Sequence, residues 1–379
     1  MSISRHSLGG NAVRRKRIFG LHSTPANTTH VPLKTALLAV FAYKVFFCRT
    51  CRRKNKNAAY RRKDSEYRFF RQTEQGNYAL FFGGNMLEFK EISLEDKLLL
   101  DKMLGNSKDV SCENTFVNLF VWQGAYNNKI AFKNGNLFIK YGRGSEENYR
   151  LPIGGNLEEG LKEIIGHCDG RYPTFWNPIT EDFSRLPKWF LDRYDIIPTR
   201  DSFDYIYLQK DLAELVGKKY HSKRNHISAF SKKWDWRYES ITKDNIEKIK
   251  ICAEKWYNEN NDRLNKYALV ERDGILKVLQ NMDYLEVTGG AIFVKGEAVA
   301  FTLGTPINDK VFDIFAEKAL PEFAESYAVI NNQFAQQLSG YKYINREDDM
   351  GLEGLRRAKL SYKPTVILEK YLFKPKENL

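Results

Sequence analysis

The chain has 379 residues, with 60 Lys and Arg against 47 Asp and Glu and a formal net charge of +13, a balance typical of proteins that bind nucleic acid or a membrane surface. Residues 1–85 alone carry 17 basic and 3 acidic side chains, whereas residues 86–379 carry 43 and 44. The larger part of the chain is therefore nearly neutral, which excludes a uniformly basic protein, and it is long enough for about two domains of roughly 100–200 residues.

Residues 1–85 form a basic extension that is predicted to be disordered or not to be natural coding sequence. The composition changes at Met86, where Met-Leu-Glu-Phe-Lys reads as an ordinary start for a soluble bacterial enzyme. An alternative is that the apolar run Thr35–Phe47 anchors the chain to a membrane surface, since it is shorter than the roughly 20 residues of a membrane span. The expected location is cytoplasmic or peripheral to the membrane.

The five cysteines indicate reduced thiols rather than a disulfide-built secreted domain, because they are few in a chain of this length. Only Cys48 and Cys51 have the spacing of a metal site. Their segment lacks the second Cys or His pair that a structural zinc needs for four ligands. We therefore expect no metal and no cofactor.

Residues 86–208 are predicted to form a first α+β unit. Two helices come first, at Leu94–Leu104 and Thr115–Gly124, where apolar residues recur at helical spacing. Asn134-Gly135 then separates two strand patterns and is a strong hairpin signal. Strands and helices alternate in the rest of the unit: Tyr149–Ile153, Leu157–Cys168, Pro173–Trp176, Phe183–Arg193 and Asp204–Leu208.

Residues 209–379 are predicted to repeat this organisation as a second unit. A helix at Leu212–Ser231 leads, through a short strand and two helices, to a three-stranded meander with turns at Lys295-Gly296 and Pro306–Asp309. A helix, a strand, a helix and a strand complete the unit: Glu325–Leu338, Tyr343–Asn345, Leu352–Leu360 and Thr365–Tyr371.

This order of elements resembles the core of the N-acetyltransferase (GNAT) fold. Two such units in tandem resemble acyl-transferring enzymes that use charged tRNA. The predicted fold class is therefore α+β, with two tandem GNAT-like units, each a mostly antiparallel sheet flanked by helices.

The segment Gly217–Ile227 is the most basic part of the second unit. On one continuous helix, Lys219, Lys223 and His226 would share a face beside a buried apolar stripe. Such a face suits the phosphates of a nucleic acid or a lipid, where cations give affinity without base specificity. The alternative is a solvated surface helix. The predicted substrate-binding residues here are Lys219, Lys223, Arg224 and Asn225.

The segment Tyr343–Pro364 is the most informative one. A strand delivers a polar run to a loop, and Gly351 and Gly354 permit tight backbone geometry where a helix begins. Arg356 and Lys359 lie one turn apart, so both can neutralise one negative charge. The alternative is that these charges only complement the helix dipole. Catalytic roles are predicted for Asp349, Arg356 and Lys359, and substrate contacts for Asn345, Arg346 and Asp348.

The junction between the third meander strand and the next helix supplies the remaining candidates. Glu317, or Asp313 on the same strand, can accept a proton from an attacking amine or hydroxyl if burial raises its pKa. We predict Glu317 as catalytic. Substrate contacts are predicted for residues that open the helix: Glu325, Tyr327 and Asn331. The Gln/Arg-x-x-Gly-x-Gly/Ala loop of coenzyme A users does not precede this helix, which argues against acetyl-CoA.

These segments together resemble the bacterial family related to the C-terminal catalytic domain of phosphatidylglycerol lysyltransferase. The resemblance covers essentially Met86–Leu379 and is most specific within Asn345–Lys359. It implies a tandem GNAT fold akin to the lysyltransferases and the Fem peptidyltransferases, which move an aminoacyl group from tRNA to a lipid or a peptidoglycan-precursor amine. In those relatives a Gly-Leu-x-x-x-Lys helix bears on the acyl-transfer site, and here it falls on Gly354, Leu355 and Lys359.

The function expected from the sequence is therefore aminoacyl transfer in the cleft between the two units. The expected donor is aminoacyl-tRNA or another activated acyl donor, and the expected acceptor is a lipid or a peptidoglycan-precursor amine. One alternative is an acyl-CoA-dependent N-acetyltransferase. A second is a non-catalytic nucleic-acid-binding module. No transmembrane span is expected.

Overall fold

The structure, a computed structural model, describes residues 60–63, 66–72, 78–83, 86–260 and 268–377. The chain divides into two compact units, Met1–Gly84 and Asn85–Leu379. In the first unit, three antiparallel strands pair in the order β1-β2-β3: Tyr60–Lys63, Glu66–Gln72 and Tyr78–Gly83. This sheet lies within the basic extension of residues 1–85. Its remaining residues, including Thr35–Phe47, Cys48 and Cys51, lie outside the described residues.

The second unit is built from two sheets and the helices that flank them. Its strands are β4 (Lys90–Glu91), β5 (Lys129–Lys133), β6 (Asn136–Tyr141), β7 (Asn148–Tyr149), β8 (Ile153–Gly154), β9 (Thr174–Ile179), β10 (Tyr194–Pro198), β11 (Asp204–Leu208), β12 (Trp236–Ser240), β13 (Thr288–Val294), β14 (Glu297–Pro306), β15 (Val311–Ala319), β16 (Tyr343–Asn345), β17 (Val366–Leu368) and β18 (Lys370–Pro375).

The helices are α1 (Lys97–Gly105), α2 (Phe116–Val121), α3 (Gln123–Tyr126), α4 (Leu157–His167), α5 (Lys188–Leu191), α6 (Gln209–Glu214), α7 (His221–Lys233), α8 (Ile246–Glu259), α9 (Ala268–Gln280), α10 (Met282–Leu285), α11 (Ser326–Gln337) and α12 (Glu353–Ser361). Within the described residues, none of the helices is both long and apolar enough to cross a bilayer.

Both sheets are mostly antiparallel, as predicted. The first has the order β10-β18-β9-β7-β6-β5-β4, with β8 beside β6, and the second has the order β12-β13-β14-β15-β16-β11-β17. The parallel pairs are β7 with β9 and β15 with β16. Asn134-Gly135 joins β5 to β6 with both residues at positive φ, the geometry that an Asn-Gly hairpin turn requires.

Two strands cross between the predicted units. The prediction placed Asp204–Leu208 in the first unit, but β11 pairs with β16 and β17 in the second sheet. In turn, β18 pairs with β9 and β10 in the first sheet. The predicted strand Thr365–Tyr371 is therefore two strands in different sheets, separated by Glu369. The predicted boundary at residues 208 and 209 does not divide the two sheets.

The hydrophobic core joins the two sheets. Its largest cluster contains Ile130 and Leu137 of the first sheet together with Phe301 and Leu303 of the second. All four side chains are buried completely, so separating the sheets would expose a large apolar area to water. This shared core is the physical reason why residues 85–379 form one compact unit.

The predicted helix Leu212–Ser231 is interrupted in the structure. Leu215 and Gly217 adopt positive φ after α6, a conformation that ends a helix. A 3-10 turn at Lys218–Tyr220 follows, and α7 begins only at His221. Lys219 therefore does not lie on the same helix as Lys223.

Candidate active site

The second sheet opens between its two parallel strands. β15 and β16 pair only from Val311 opposite Tyr343 to Asp313 opposite Asn345. β16 ends there, whereas β15 continues to Ala319. A β-bulge at Phe315 interrupts the pairing of β15 with β14, and bulges bend a strand and redirect its side chains. Asp313 and Glu317 lie four positions apart on β15, and in a regular strand their side chains would share one face. Because of the bulge between them, they do not share that face.

A cavity of about 1130 Å³ lies at this opening. Ile314–Lys318 of β15 line one side, and Arg346–Asp348, which follow β16, line another. Tyr141 and Trp176 of the first sheet also contribute. The cavity is thus formed by residues of both sheets.

The structure divides the predicted site residues into two groups. The residues that line the cavity are Lys223, Glu317, Glu325, Tyr327, Arg346, Asp348 and Lys359. The residues outside the lining are Lys219, Arg224, Asn225, Asn331, Asn345, Asp349 and Arg356.

Lys359 is a buried cation of the cavity wall. Its side chain belongs to α12, is 8% exposed, and donates a hydrogen bond to the main-chain oxygen of Arg346. It makes no ion pair with any described residue. Burial lowers the pKa of Lys359, and the nearby Arg346 lowers it further. Because Lys359 has no carboxylate partner among the described residues, its Nζ can contact an anionic group of a substrate.

Arg346 is held in place by Glu317. Its Nη2 donates to Glu317 Oε1 at 2.8 Å, and Asn331 Nδ2 donates to Glu317 Oε2 at 3.2 Å. The guanidinium carbon lies 4.9 Å from the ring centroid of Tyr362. Glu317 therefore positions Arg346 at the cavity. Asn331 reaches the site only through Glu317.

Lys223 is a cavity cation and not part of an exposed basic face. Its Nζ lies 3.8 Å from the ring centroid of Tyr362. Burial and the proximity of Arg346 lower the pKa of Lys223 to about 8. In the described chain it has no carboxylate partner within ion-pair distance, so three cations, Lys223, Arg346 and Lys359, border one cavity.

Glu347 is a cavity residue that the sequence reasoning missed. Burial raises the pKa of its carboxyl well above the usual range, and its Oε1 accepts a hydrogen bond from Asn118 Nδ2 at 3.0 Å. Glu347 has a φ of 56°, an uncommon backbone conformation for this residue type. Burial also raises the pKa of Asp348 to about 6. The sequence signal for a site here was the run of charged residues Arg346–Asp349. That run did not show which of its side chains would face the cavity.

Asp349 and Arg356 form an ion pair outside the cavity lining, and this corrects the prediction that Arg356 and Lys359 serve one site. Arg356 donates to both carboxylate oxygens of Asp349, at 2.8 and 2.7 Å, and also to Asp201 at 2.6 Å. Tyr205 Oη donates to Asp349 at 2.5 Å. The fully buried Asp349 thereby fixes the start of α12, which carries Lys359.

The rest of the predicted basic face has local partners. Lys219 pairs with Asp211 at 2.8 Å. Arg224 donates to the main-chain oxygens of Leu215 and Gly217, beside the break after α6. Asn225 lies 3.2 Å from a ring nitrogen of His221. These contacts are structural.

Asn345 is a buried scaffold residue. Its Nδ2 donates to the main-chain oxygen of Val110 and to Asp204 Oδ2, both at 2.9 Å. Its Oδ1 accepts from the main-chain N–H of Glu347 at 2.8 Å. Asn345 therefore connects β11 and β16 to the loop that carries the cavity residues, without itself lining the cavity.

One cluster of metal-ligating atoms is occupied by an ammonium group. The ligand atoms of Cys112, Glu113 and Asp204 lie within 4.8 Å of one another. Lys370 Nζ lies among them, at 2.6 Å from Glu113, 2.7 Å from Asp204 and 3.5 Å from Cys112 Sγ. Lys370 therefore compensates one of the two carboxylate charges in this cluster.

Comparison with known proteins assigns the family. Residues 106–374 match the family described as phosphatidylglycerol lysyltransferase, C-terminal. The chain belongs to this family. The sequence prediction of the family is confirmed, and aminoacyl transfer is the general kind of reaction of this lysyltransferase family. The matched region contains every residue that lines the cavity.

Solved structures support the same fold. A conserved protein of unknown function from Bacteroides thetaiotaomicron is 36% identical with a TM-score of 0.71, and the match covers 77% of this chain and 100% of that chain. L-PGS from Bacillus licheniformis is 15% identical with a TM-score of 0.56, over 78% of this chain and 95% of that chain. The prediction of a tandem GNAT-like fold is confirmed.

A curated relative is more distant. The uncharacterized protein MYCGA3080 of Mycoplasmoides gallisepticum is 26% identical over 191 residues, which are 49% of this chain and 61% of that protein. This chain therefore covers less than two thirds of the length of that relative.

Proposed function

We propose that this chain transfers an aminoacyl group from aminoacyl-tRNA to an amine or hydroxyl acceptor, in the cavity between the two sheets. The observation that carries the proposal is the set of side chains at the opening of β15 and β16. Lys223, Arg346 and Lys359 supply positive charge, and Glu347 supplies a buried carboxyl group, all in one cavity. Aminoacyl transfer requires both kinds of group.

The chemistry assigns a role to each side chain. The acceptor attacks the carbonyl carbon of the ester, a new C–N or C–O bond forms, and the carbonyl oxygen becomes negatively charged. Lys359 and Arg346 stabilise that charge, because fixed cations in a site that excludes water act strongly on an oxyanion. Glu347 in its carboxylate form takes the proton of the acceptor, and it returns that proton to the ribose oxygen when the ester C–O bond breaks.

The acceptor has an apolar part in this proposal. Met350, Leu352 and Leu355 line the cavity and are each more than a third exposed. Exposed apolar side chains in the lining of a cavity suit a ligand with a lipid tail. A lipid is therefore preferred over a soluble peptidoglycan-precursor amine as the acceptor.

A transfer assay tests the proposal. The chain is incubated with a set of radiolabelled aminoacyl-tRNAs and with lipid and cell-wall precursor fractions. We expect label from at least one aminoacyl-tRNA to appear in the lipid fraction. Binding of tRNA that weakens steeply with salt, without any transfer to either fraction, would instead identify a non-catalytic nucleic-acid-binding protein.

Thermal shift separates tRNA from coenzyme A as the source of the acyl group. A ligand that binds only the native state raises the melting temperature. We expect charged tRNA to raise it and acetyl-coenzyme A to leave it unchanged. A shift with acetyl-coenzyme A alone would identify an N-acetyltransferase.

A further inference from the structure

Lys223 is a cavity cation without an individual task in the proposed transfer step. It lies on α7, is partly buried and lines the cavity. Its Nζ lies 3.8 Å from the ring centroid of Tyr362, and it makes no hydrogen bond or ion pair with any described residue. Among the described residues, no oxygen atom therefore competes for this nitrogen atom.

The charged groups near Lys223 create a positive potential. The guanidinium carbon of Arg346 lies 4.9 Å from the centroid of the same Tyr362 ring, and Lys359 belongs to the same cavity lining. Glu317 on β15 is already paired with Arg346 at 2.8 Å. Burial and Arg346 lower the pKa of Lys223 to about 8, although Glu317 acts in the opposite direction. At a pH equal to this pKa, about half of the Lys223 side chains are neutral amines, against about 0.4% for a lysine with the usual pKa near 10.4.

The neighbouring cations can bind an anion beside this amine. Arg346 uses its Nη2 for Glu317, whereas its buried Nη1 has no hydrogen-bond partner in the described part of the chain. Buried polar groups are almost always paired, so the free Nη1 indicates an acceptor atom of a ligand. Guanidinium and ammonium groups bind phosphate oxygens strongly. The cavity therefore combines a phosphate site with a nucleophilic nitrogen atom.

We propose that Lys223 is a covalent modification site for small acyl phosphates. The cations bind the phosphate group, and the neutral amine of Lys223 attacks the acyl carbon while Arg346 stabilises the charge on the carbonyl oxygen. A C–N bond forms, the C–O bond to phosphate breaks, and the phosphate leaves with the electron pair. The attacking nitrogen gives one proton to the departing phosphate, so the products are a neutral amide and inorganic phosphate.

The modification changes the charge of the cavity. Acylation removes the positive charge of Lys223 and its attraction to the ring of Tyr362. The cavity then has one cation fewer for the anionic groups of a substrate. The expected consequence, slower aminoacyl transfer by the acylated chain, rests on the proposed function. The modification itself does not depend on which reaction the cavity catalyses.

Mass spectrometry of the full chain after incubation with acetyl phosphate tests the site. At a pH near the pKa of Lys223, its rate of acetylation is compared with that of Lys219, an exposed neighbour whose pKa is raised by the hydrogen bond to Asp211. We expect Lys223 to react about tenfold faster or more, because a much larger fraction of it is neutral. In urea, which unfolds the cavity, both lysines should react at similar rates.

A neutral reagent and one variant separate the phosphate site from simple amine reactivity. N-Hydroxysuccinimidyl acetate carries the same acetyl group without a phosphate, so its preference for Lys223 over Lys219 should be smaller than that of acetyl phosphate. Lys223→Arg keeps the positive charge but stays protonated. The fast phase of acetyl incorporation should therefore disappear in this variant, while the melting temperature stays close to that of the parent.

Four results would overturn the site: equal acetylation of Lys223 and Lys219 in the folded chain, a preference that persists in urea, the same preference with both reagents, or faster acetylation of Lys359 than of Lys223. The two proposals are separable. Acetylation of Lys223 without detectable aminoacyl transfer removes only the proposed function. Transfer by a chain whose Lys223 resists acetylation removes only the modification site, and unchanged transfer by the acetylated chain removes the expected slowing.

Discussion

Replacing Lys359 with methionine is expected to lower the turnover of aminoacyl transfer by about a hundredfold, with little change in KM. Removal of one preorganised group that stabilises an oxyanion typically costs a factor of about 100 to 1000 in kcat. An interaction made only in the transition state affects kcat and not ground-state binding. Methionine keeps the apolar stem of the buried side chain, so the fold should remain. Steady-state kinetics with a saturating acceptor measures the effect.

Arg357→Met on the same helix is the matched control for Lys359→Met. Arg357 is exposed, pairs with Glu353, and lies outside the cavity lining, so its replacement should leave kcat unchanged. Both variants should melt close to the parent. Parent-like turnover of Lys359→Met would assign Lys359 to the structural contact with the Arg346 main chain.

The second large effect is expected on stability. Lys370→Met should lower the free energy of unfolding by about 3–5 kcal/mol, the typical loss when one partner of a buried ion pair is removed. Burial by itself lowers the pKa of Lys370, but Asp204 and Glu113 outweigh it and raise that pKa well above the usual value. Lys370 is therefore charged, and without it two buried carboxylates lose their counter-charge. Urea unfolding at neutral pH measures the difference.

Lys188→Met provides the comparison for Lys370→Met. Lys188 pairs with Asp192 at 2.9 Å, but both side chains are more than half exposed. Exposed pairs contribute about 0–1 kcal/mol, so the control should unfold almost like the parent. A loss below about 1 kcal/mol for Lys370→Met would mean that Asp204 and Glu113 find other partners. Adding Asp204→Asn to Lys370→Met should restore part of the lost stability, because one unpaired charge is then removed.

The local elements could largely be predicted from the sequence. The Asn134-Gly135 hairpin, the meander β13-β14-β15 and the strand Tyr343–Asn345 all appear where the patterns indicated. These elements depend on turn residues and on apolar periodicity over a few positions. The break near Leu215 was missed because a leucine at positive φ has no local sequence signal.

The membership of strands in sheets could not be predicted. β17 and β18 are separated by one residue, yet they pair in different sheets. β18 pairs with β9, almost 200 residues earlier in the chain. Such pairing depends on which distant partner offers a matching edge and core, and a strand pattern does not specify that partner.

In the candidate site, too, the local features could be predicted from the sequence and the long-range contacts could not. The sequence by itself determined the family, the local elements and the segment from Asn345 to Lys359 that supplies much of the cavity, because motif spacing on one helix and one loop is local. Only the tertiary structure decided that Lys359 faces the cavity while Arg356 pairs with Asp349. It also decided which aromatic side chains from the chain before β10 line the cavity: Trp122, Tyr126, Tyr141 and Trp176. These residues lie on separate elements and share no motif, so only the burial of both sheets in one core brings them together.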